Sequence, residues 1–165
     1  MAVPFFRLVK REYVMTAFDG FGARTYGGRW NSVGTICVYM GSSRALCVLE
    51  ALVHLTIQDL AHDYTMLAIN VPESLITELS LAALPADWQA DPAPSSTRQI
   101  GDDWLASPDN GLVLKVPSTL TGEWNALFNP RHPAAAGIIS KVVAEPFFFD
   151  PRFRLQQDAG SLTSL

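Results

Sequence analysis

Apolar positions recur with two different periods along this chain, and the changes of period mark out its elements. Phe5 to Val9 (FFRLV) reads as a short strand that opens the domain. Phe18 to Trp30 is rich in glycine and aromatic residues but has no helical period, so it reads as a loop. Thr35 to Met40 (TICVYM) is β-branched and aromatic and lies between Gly34 and Gly41. Alternation puts Thr35, Cys37 and Tyr39 on one face of a buried strand. A Ser42 or Ser43 N-cap then opens the best helix of the chain. It runs to about Leu60 without Pro or Gly, with Leu46, Leu49, Val53 and Ile57 on one stripe. Glu50 falls in that same stripe.

Thr65 to Val71 predicts a further strand, ended by Pro72, and the ESLITELSL stretch after it has weak helical character. Residues 84–98 are rich in proline and turn formers and must cross the surface. After them Ser96 is placed to cap a short helix to about Ala106. Leu112 to Val116 and Lys141 to Phe149 read as two more strands, separated by a turn-rich segment from Pro117 to Pro133. Strands and helices mix without a regular βαβ rhythm, which points to an α+β fold in a single domain.

Composition changes this picture mainly by exclusion. A chain of 165 residues, 48% hydrophobic, is long enough to bury a full core without disulfide or metal staples. Its net charge of −4 lacks the electrostatic footprint of a nucleic-acid binder, so no direct contact with nucleic acid is expected. Cys37 and Cys47 lie in apolar runs, far from any paired-ligand spacing, and read as buried free thiols of a reducing compartment. The N-terminus does not have the layout of a signal peptide, and no apolar run reaches membrane-spanning length. A cytoplasmic protein with no membrane partner is expected.

Three places carry candidate chemistry. Glu50 is a carboxylate in an apolar helix stripe and must be paired, hydrogen-bonded or protonated there. A structural ion pair with an arginine and a functional role both satisfy that demand. His54, one turn on, reads as a flanking core histidine. The loop GFGARTYGGRWNSVG gathers glycines around Arg24, Arg29 and Asn31, a composition that suits either a phosphate cradle or a surface loop. It departs from the dinucleotide fingerprint at Thr25 and is not a P-loop. The segment PSTLTGEWNALFNPRHP offers Ser118, Glu123, Asn125, Asn129 and His132 between strands. Ser118 has no GxSxG elbow around it, and the three histidines show no metal-ligand spacing, so neither a serine triad nor a metal site is expected.

Taken together, the opening FFRL, then DGFGARTYGGRWNSVGTICVYMGSSRALCVLEALVH, then VPSTLTGEWNALFNPRHP, resemble the RES-domain toxin family, in the expected order over most of residues 5 to 133. The likeness fades after Phe149. It implies a RES domain over residues 1–155, followed by a C-terminal tail over 156–165. It also implies an ADP-ribosyltransferase-like fold, in which a mixed, split β core with flanking helices holds NAD in a cleft. Members of the family are toxins of two-gene toxin–antitoxin modules that consume NAD or transfer its ADP-ribose.

By the same resemblance the family's arginine, glutamate and serine fall on Arg29, Glu50 and Ser118, with Tyr39 as a further active-site residue and Arg7 as the arginine of the opening strand. NAD enters as a substrate, with no cofactor or metal. Arg29, Arg7, Tyr39 and Asn125 are its expected contacts, and Glu50 the group that meets the cationic ribose. The expected partner is a Xre-type helix-turn-helix antitoxin that covers the active-site cleft. The ADP-ribose acceptor is water, phosphate or a host protein. A non-catalytic nucleotide- or protein-binding domain is the third alternative.

Overall fold

The computed structural model describes residues 1–107 and 109–153. The predicted tail at 156–165 and the domain boundary at 155 lie outside the described residues. The two longest strands, β1 (Ala2–Lys10) and β3 (Tyr64–Pro72), pair antiparallel along their whole length, from Ala2↔Pro72 to Lys10↔Tyr64. Around them are β2 (Val38–Gly41), β4 (Ile76–Glu78), β5 (Val113–Pro117), β6 (Trp124–Phe128) and β7 (Val143–Phe147). They form one seven-stranded sheet in the order β4-β5-β6-β2-β1-β3-β7. Among the described residues only β4 and β5 run parallel, so the sheet is mixed. Helices α1 (Phe21–Tyr26), α2 (Arg44–Leu52), α3 (Ser95–Ala106) and α4 (Ala135–Ile139) flank it. The architecture is the expected α+β single domain, consistent with an ADP-ribosyltransferase-like fold.

The sheet is nearly divided at its middle. β1 and β2 share a single register pair, Phe6↔Gly41, whereas β2 pairs with β6 along its full length. Two half-sheets therefore meet at one point and splay apart beyond it. Neighbouring strand residues serve opposite faces. Val113 and Phe128 join Phe5, Leu67 and Ile69 in the main core, while Leu114 and Leu127 join Trp30, Cys37 and Trp104 in the second. On that second side α3 lies hard against the loop before β2. A Cβ at Gly101 would sit 1.7 Å from the carbonyl oxygen of Trp30, so only glycine allows this approach.

Several sequence expectations are corrected. The Gly-rich segment holds α1, a helix too short to display a period, whose first amide, Phe21 N–H, is received by Asp19 Oδ1 at 2.7 Å. The strand expected over Thr35–Met40 is confined to Val38–Gly41, because only those residues find a ladder partner in β6. Helix α2 starts as expected, with Ser43 Oγ accepting from Leu46 N at 3.1 Å, but stops at Leu52. Beyond it, Asp59 accepts from both the amide and the hydroxyl of Thr56, a local turn that replaces helical bonds.

The apolar stripe of α2 is also rotated. Leu46 and Cys47 are buried, and Val48 and Leu52 pack under Leu60, Tyr64 and Phe149, while Leu49 and Val53 are exposed. Within ESLITELSL, Ile76–Glu78 is strand β4, drawn out of helix by parallel pairing with β5. Pro94 occupies the N-cap of α3, and Ser96 instead donates to Asp87. Strand β6 lies inside the segment read as turns: Asn125 and Asn129 flank Ala126, Leu127 and Phe128, all three fully buried in the sheet centre. No helix among the described residues is long and apolar enough to cross a membrane. Cys37 and Cys47 are free and buried, as expected.

Candidate active site

The fold brings Glu50, Ser118 and Asn125 together at the junction of the half-sheets. β5 ends at Pro117, and the turn that follows is closed by Ser118 N donating to Glu123 O at 2.7 Å. This sets Ser118 beside β6, where Asn125 pairs with Val116 on one side and Gly41 on the other. Helix α2 packs over β1 and β2 and presents Glu50 to the pair. Glu50 Oε1 accepts from Ser118 Oγ at 2.7 Å and from Asn125 Nδ2 at 2.6 Å. Ser118 Oγ in turn accepts from Leu120 N at 3.1 Å, which leaves its proton for the carboxylate.

Both side-chain bonds converge on one carboxylate oxygen, so Glu50 is fixed while Oε2 remains outside that pair of contacts. The arginine ion pair weighed from the sequence is not formed: among the described residues no basic group lies within salt-bridge distance of Glu50. Glu50 is half-buried and hydrogen-bonded, not sunk in apolar side chains.

A cavity of about 280 Å³ opens on the Gly-rich side, lined by Arg7, Ala23, Tyr26, Gly27, Cys37 and Tyr39 among others. Arg7 reaches from β1 to β2, Nη1 donating to the Tyr39 carbonyl at 2.8 Å, while its buried Nε has no protein partner. Burial pushes the Arg7 pKa down, opposed by the fields of Cys47, Cys37 and Asp19. No carboxylate pairs with it among the described residues. A desolvated guanidinium without a carboxylate partner, in a residue that lines a cavity, has the chemistry to receive an anion.

The Tyr39 hydroxyl is fully engaged, donating to Asn31 Oδ1 at 2.8 Å and accepting from Trp30 N at 3.0 Å. Burial drives its pKa up, only partly countered by the Trp30 amide and by Arg29. Tyr39 therefore offers its ring, not its proton. The Cys37 thiol is pushed up to about 12 by burial and stays protonated, which removes it as a nucleophile. Tyr39 and Gly41 are two residues apart on β2, so the cavity wall and the Glu50 cluster are separated by about 7 Å along the strand.

The remaining candidates have other surroundings. Arg29 Nη1 donates to the carbonyls of Trp88 and Ala90, at 2.8 and 2.9 Å, and ties the Gly-rich loop to the Pro-rich connection. Arg24 is exposed, and so is His54, which is therefore not the flanking core histidine expected from its place one turn after Glu50, because α2 ends at Leu52. Asn129 and His132 hold local turns, accepting from the amides of Arg131 and Ala134. Of the polar cluster after β5, then, only Ser118 and Asn125 join Glu50. Sequence reading named Asn31 only as part of the loop, because its link to Tyr39 depends on the loop's folded path.

The family model described as RES domain matches residues 4–150. A protein named Toxin Res from Yersinia enterocolitica is 41% identical over 150 residues, covering 90% of this chain and 98% of that protein. A protein of the same name from Photorhabdus laumondii is 40% identical, covering 89% of this chain and 94% of its own. A protein named Prs ADP-ribosylating toxin from a Sphingobium species is 38% identical, covering 92% and 97% respectively.

Proposed function

The chain belongs to the RES domain family, and from that premise we propose that it is a toxin enzyme that cleaves the nicotinamide–ribose bond of NAD. It passes ADP-ribose to water or phosphate and so depletes cellular NAD. The observation that carries the reading is the Glu50 carboxylate, held on Oε1 by Ser118 and Asn125 beside the β1–β2 split, with Arg7, which has no carboxylate partner among the described residues, in the wall of the neighbouring cavity.

Bond cleavage leaves positive charge on the ribose ring, and a fixed negative charge alongside lowers the barrier to forming it. Glu50 is that charge. Its Oε2 faces the sugar or receives a ribose hydroxyl, while Ser118 and Asn125 prevent the carboxylate from turning away. Arg7 binds the pyrophosphate, and the Tyr39 ring stacks on the nicotinamide side. Arg29 holds the Gly-rich loop to the Pro-rich connection and adds positive charge near the adjoining ribose. The C1′–N bond breaks with its electron pair going to nicotinamide, which leaves neutral. An acceptor oxygen then bonds C1′ and loses its proton to solvent. No general acid or metal is needed for such a leaving group.

A second reading, transfer of ADP-ribose to a specific host protein, is favoured by the name of the Sphingobium relative. For either activity, the partner we propose is a Xre-type helix-turn-helix antitoxin that covers the cleft. The exposed Leu49, Val53 and Leu120 around Glu50 supply an apolar surface for it. Any DNA contact by the complex would then come from that partner. The test is to incubate purified protein with NAD alone, with phosphate, and with cell lysate plus labelled NAD. Nicotinamide release in the first two supports hydrolysis or phosphorolysis, and release accompanied by one labelled protein band supports transfer. No release under any condition rejects both.

A further inference from the structure

One buried residue outside the substrate contacts joins two walls of the cavity. Asn31 is fully buried. Its Nδ2 donates to the carbonyls of Ala23 at 2.8 Å, Ser32 at 3.1 Å and Thr35 at 3.2 Å, and its Oδ1 accepts from the Tyr39 hydroxyl at 2.8 Å. The Asn31 carbonyl also receives the Gly28 amide at 2.9 Å. With three carbonyls around Nδ2, exchanging the amide's two ends would set oxygen against oxygen, so the acceptor can only face Tyr39. Ala23 belongs to α1 and Tyr39 to β2, and both line the cavity that Arg7 enters. The carbonyl of that same Tyr39 also holds Arg7 in place.

We propose that Asn31 is a positioning residue for substrate binding, clamping the α1 wall of the cavity to its β2 wall and thereby fixing its width and the aim of the Tyr39 ring. This rests on the reading of the cavity as part of the NAD site. Asn31 acts through Tyr39 and Ala23 and makes no hydrogen bond to the Glu50 cluster, which is held separately by Ser118 and Asn125. Its loss therefore weakens capture of NAD more than the chemical step.

The experiment compares wild type, Asn31→Ser, Tyr39→Phe and the double variant, each checked for folding by circular dichroism, in steady-state nicotinamide release. Ser is too short to bridge the walls, and Phe removes only the hydroxyl. The expected result is KM for NAD raised about fivefold to tenfold in each single variant, kcat within about threefold, and no further rise in the double variant. A folded single variant with wild-type KM, or KM effects that multiply in the double variant, overturns the proposal. Where Asn31→Ser fails to fold, Tyr39→Phe decides by the same KM criterion. If wild type releases no nicotinamide, the NAD reading falls on its own. Amide exchange across Phe21–Tyr26 then judges the clamp: faster exchange in Tyr39→Phe supports it, and unchanged exchange overturns it.

Discussion

Replacing Glu50 by Gln separates a chemical role for this side chain from a structural one. Gln keeps the shape and an oxygen able to accept from Ser118 Oγ and Asn125 Nδ2, now 2.7 and 2.6 Å from Oε1, and removes only the charge. A charge-assisted hydrogen bond exceeds a neutral one by about 1 kcal/mol, so two such bonds set an upper bound of about 2 kcal/mol on the stability lost. Solvent screening and easier desolvation of the half-buried side chain reduce it. For a chain of this size the melting temperature should fall by less than about 8 °C. Turnover should fall far more, by roughly 10²- to 10³-fold, as when one preorganised group is removed from a site of developing charge. The assay is chromatographic nicotinamide release at saturating NAD, normalised to folded protein by circular dichroism. A folded Glu50→Gln protein that turns over within about threefold of wild type would refute the reasoning.

Ser118→Ala leaves the Leu120 amide without its side-chain acceptor and Glu50 with one donor. It should cost about 1–3 kcal/mol in chemical denaturation and about tenfold in turnover. Arg7→Met replaces an unpaired buried cation by an apolar chain. Stability in urea should change by less than about 1.5 kcal/mol, while the affinity for NAD, measured by calorimetry, drops about tenfold or more. Asp59 accepts from the Thr56 amide, Lys10 and the Thr56 hydroxyl, which hold its pKa well below the usual carboxylate range. Its contribution to stability is thus complete above the unfolded-state pKa and lost as pH falls below it toward the folded value. Asp59→Asn should consequently flatten the acid limb of the urea-stability profile below about pH 4, and an unchanged limb would contradict this.

The elements that were legible in the sequence carry their determinants locally. β1, β3 and β5 are predominantly apolar runs, β7 opens on Val143 and ends on Phe147, and Ser43 caps α2 from its own position. β4 and β6 were not legible, because each is a strand only through its neighbours. Ile76–Glu78 takes its conformation from pairing with β5, and Trp124–Phe128 carries turn-forming asparagines whose amides the sheet and Glu50 absorb. The stripe of α2 misled because Leu49 and Val53 have helical spacing but flank the candidate site instead of the core. Glu50 was noticed for its apolar neighbours in sequence, yet what holds it comes from residues 68 and 75 positions away. Arg7 and Tyr39 become one site only because the β1–β2 ladder parts after a single pair.

The most direct test of the account is a crystal structure of the Glu50→Gln protein with NAD bound. The account predicts the nicotinamide ribose within hydrogen-bond reach of residue 50, about 2.6–3.2 Å, and the pyrophosphate on the Arg7 guanidinium. NAD lodged away from the β1–β2 split, with the side chain of residue 50 touching no part of the sugar, would contradict it.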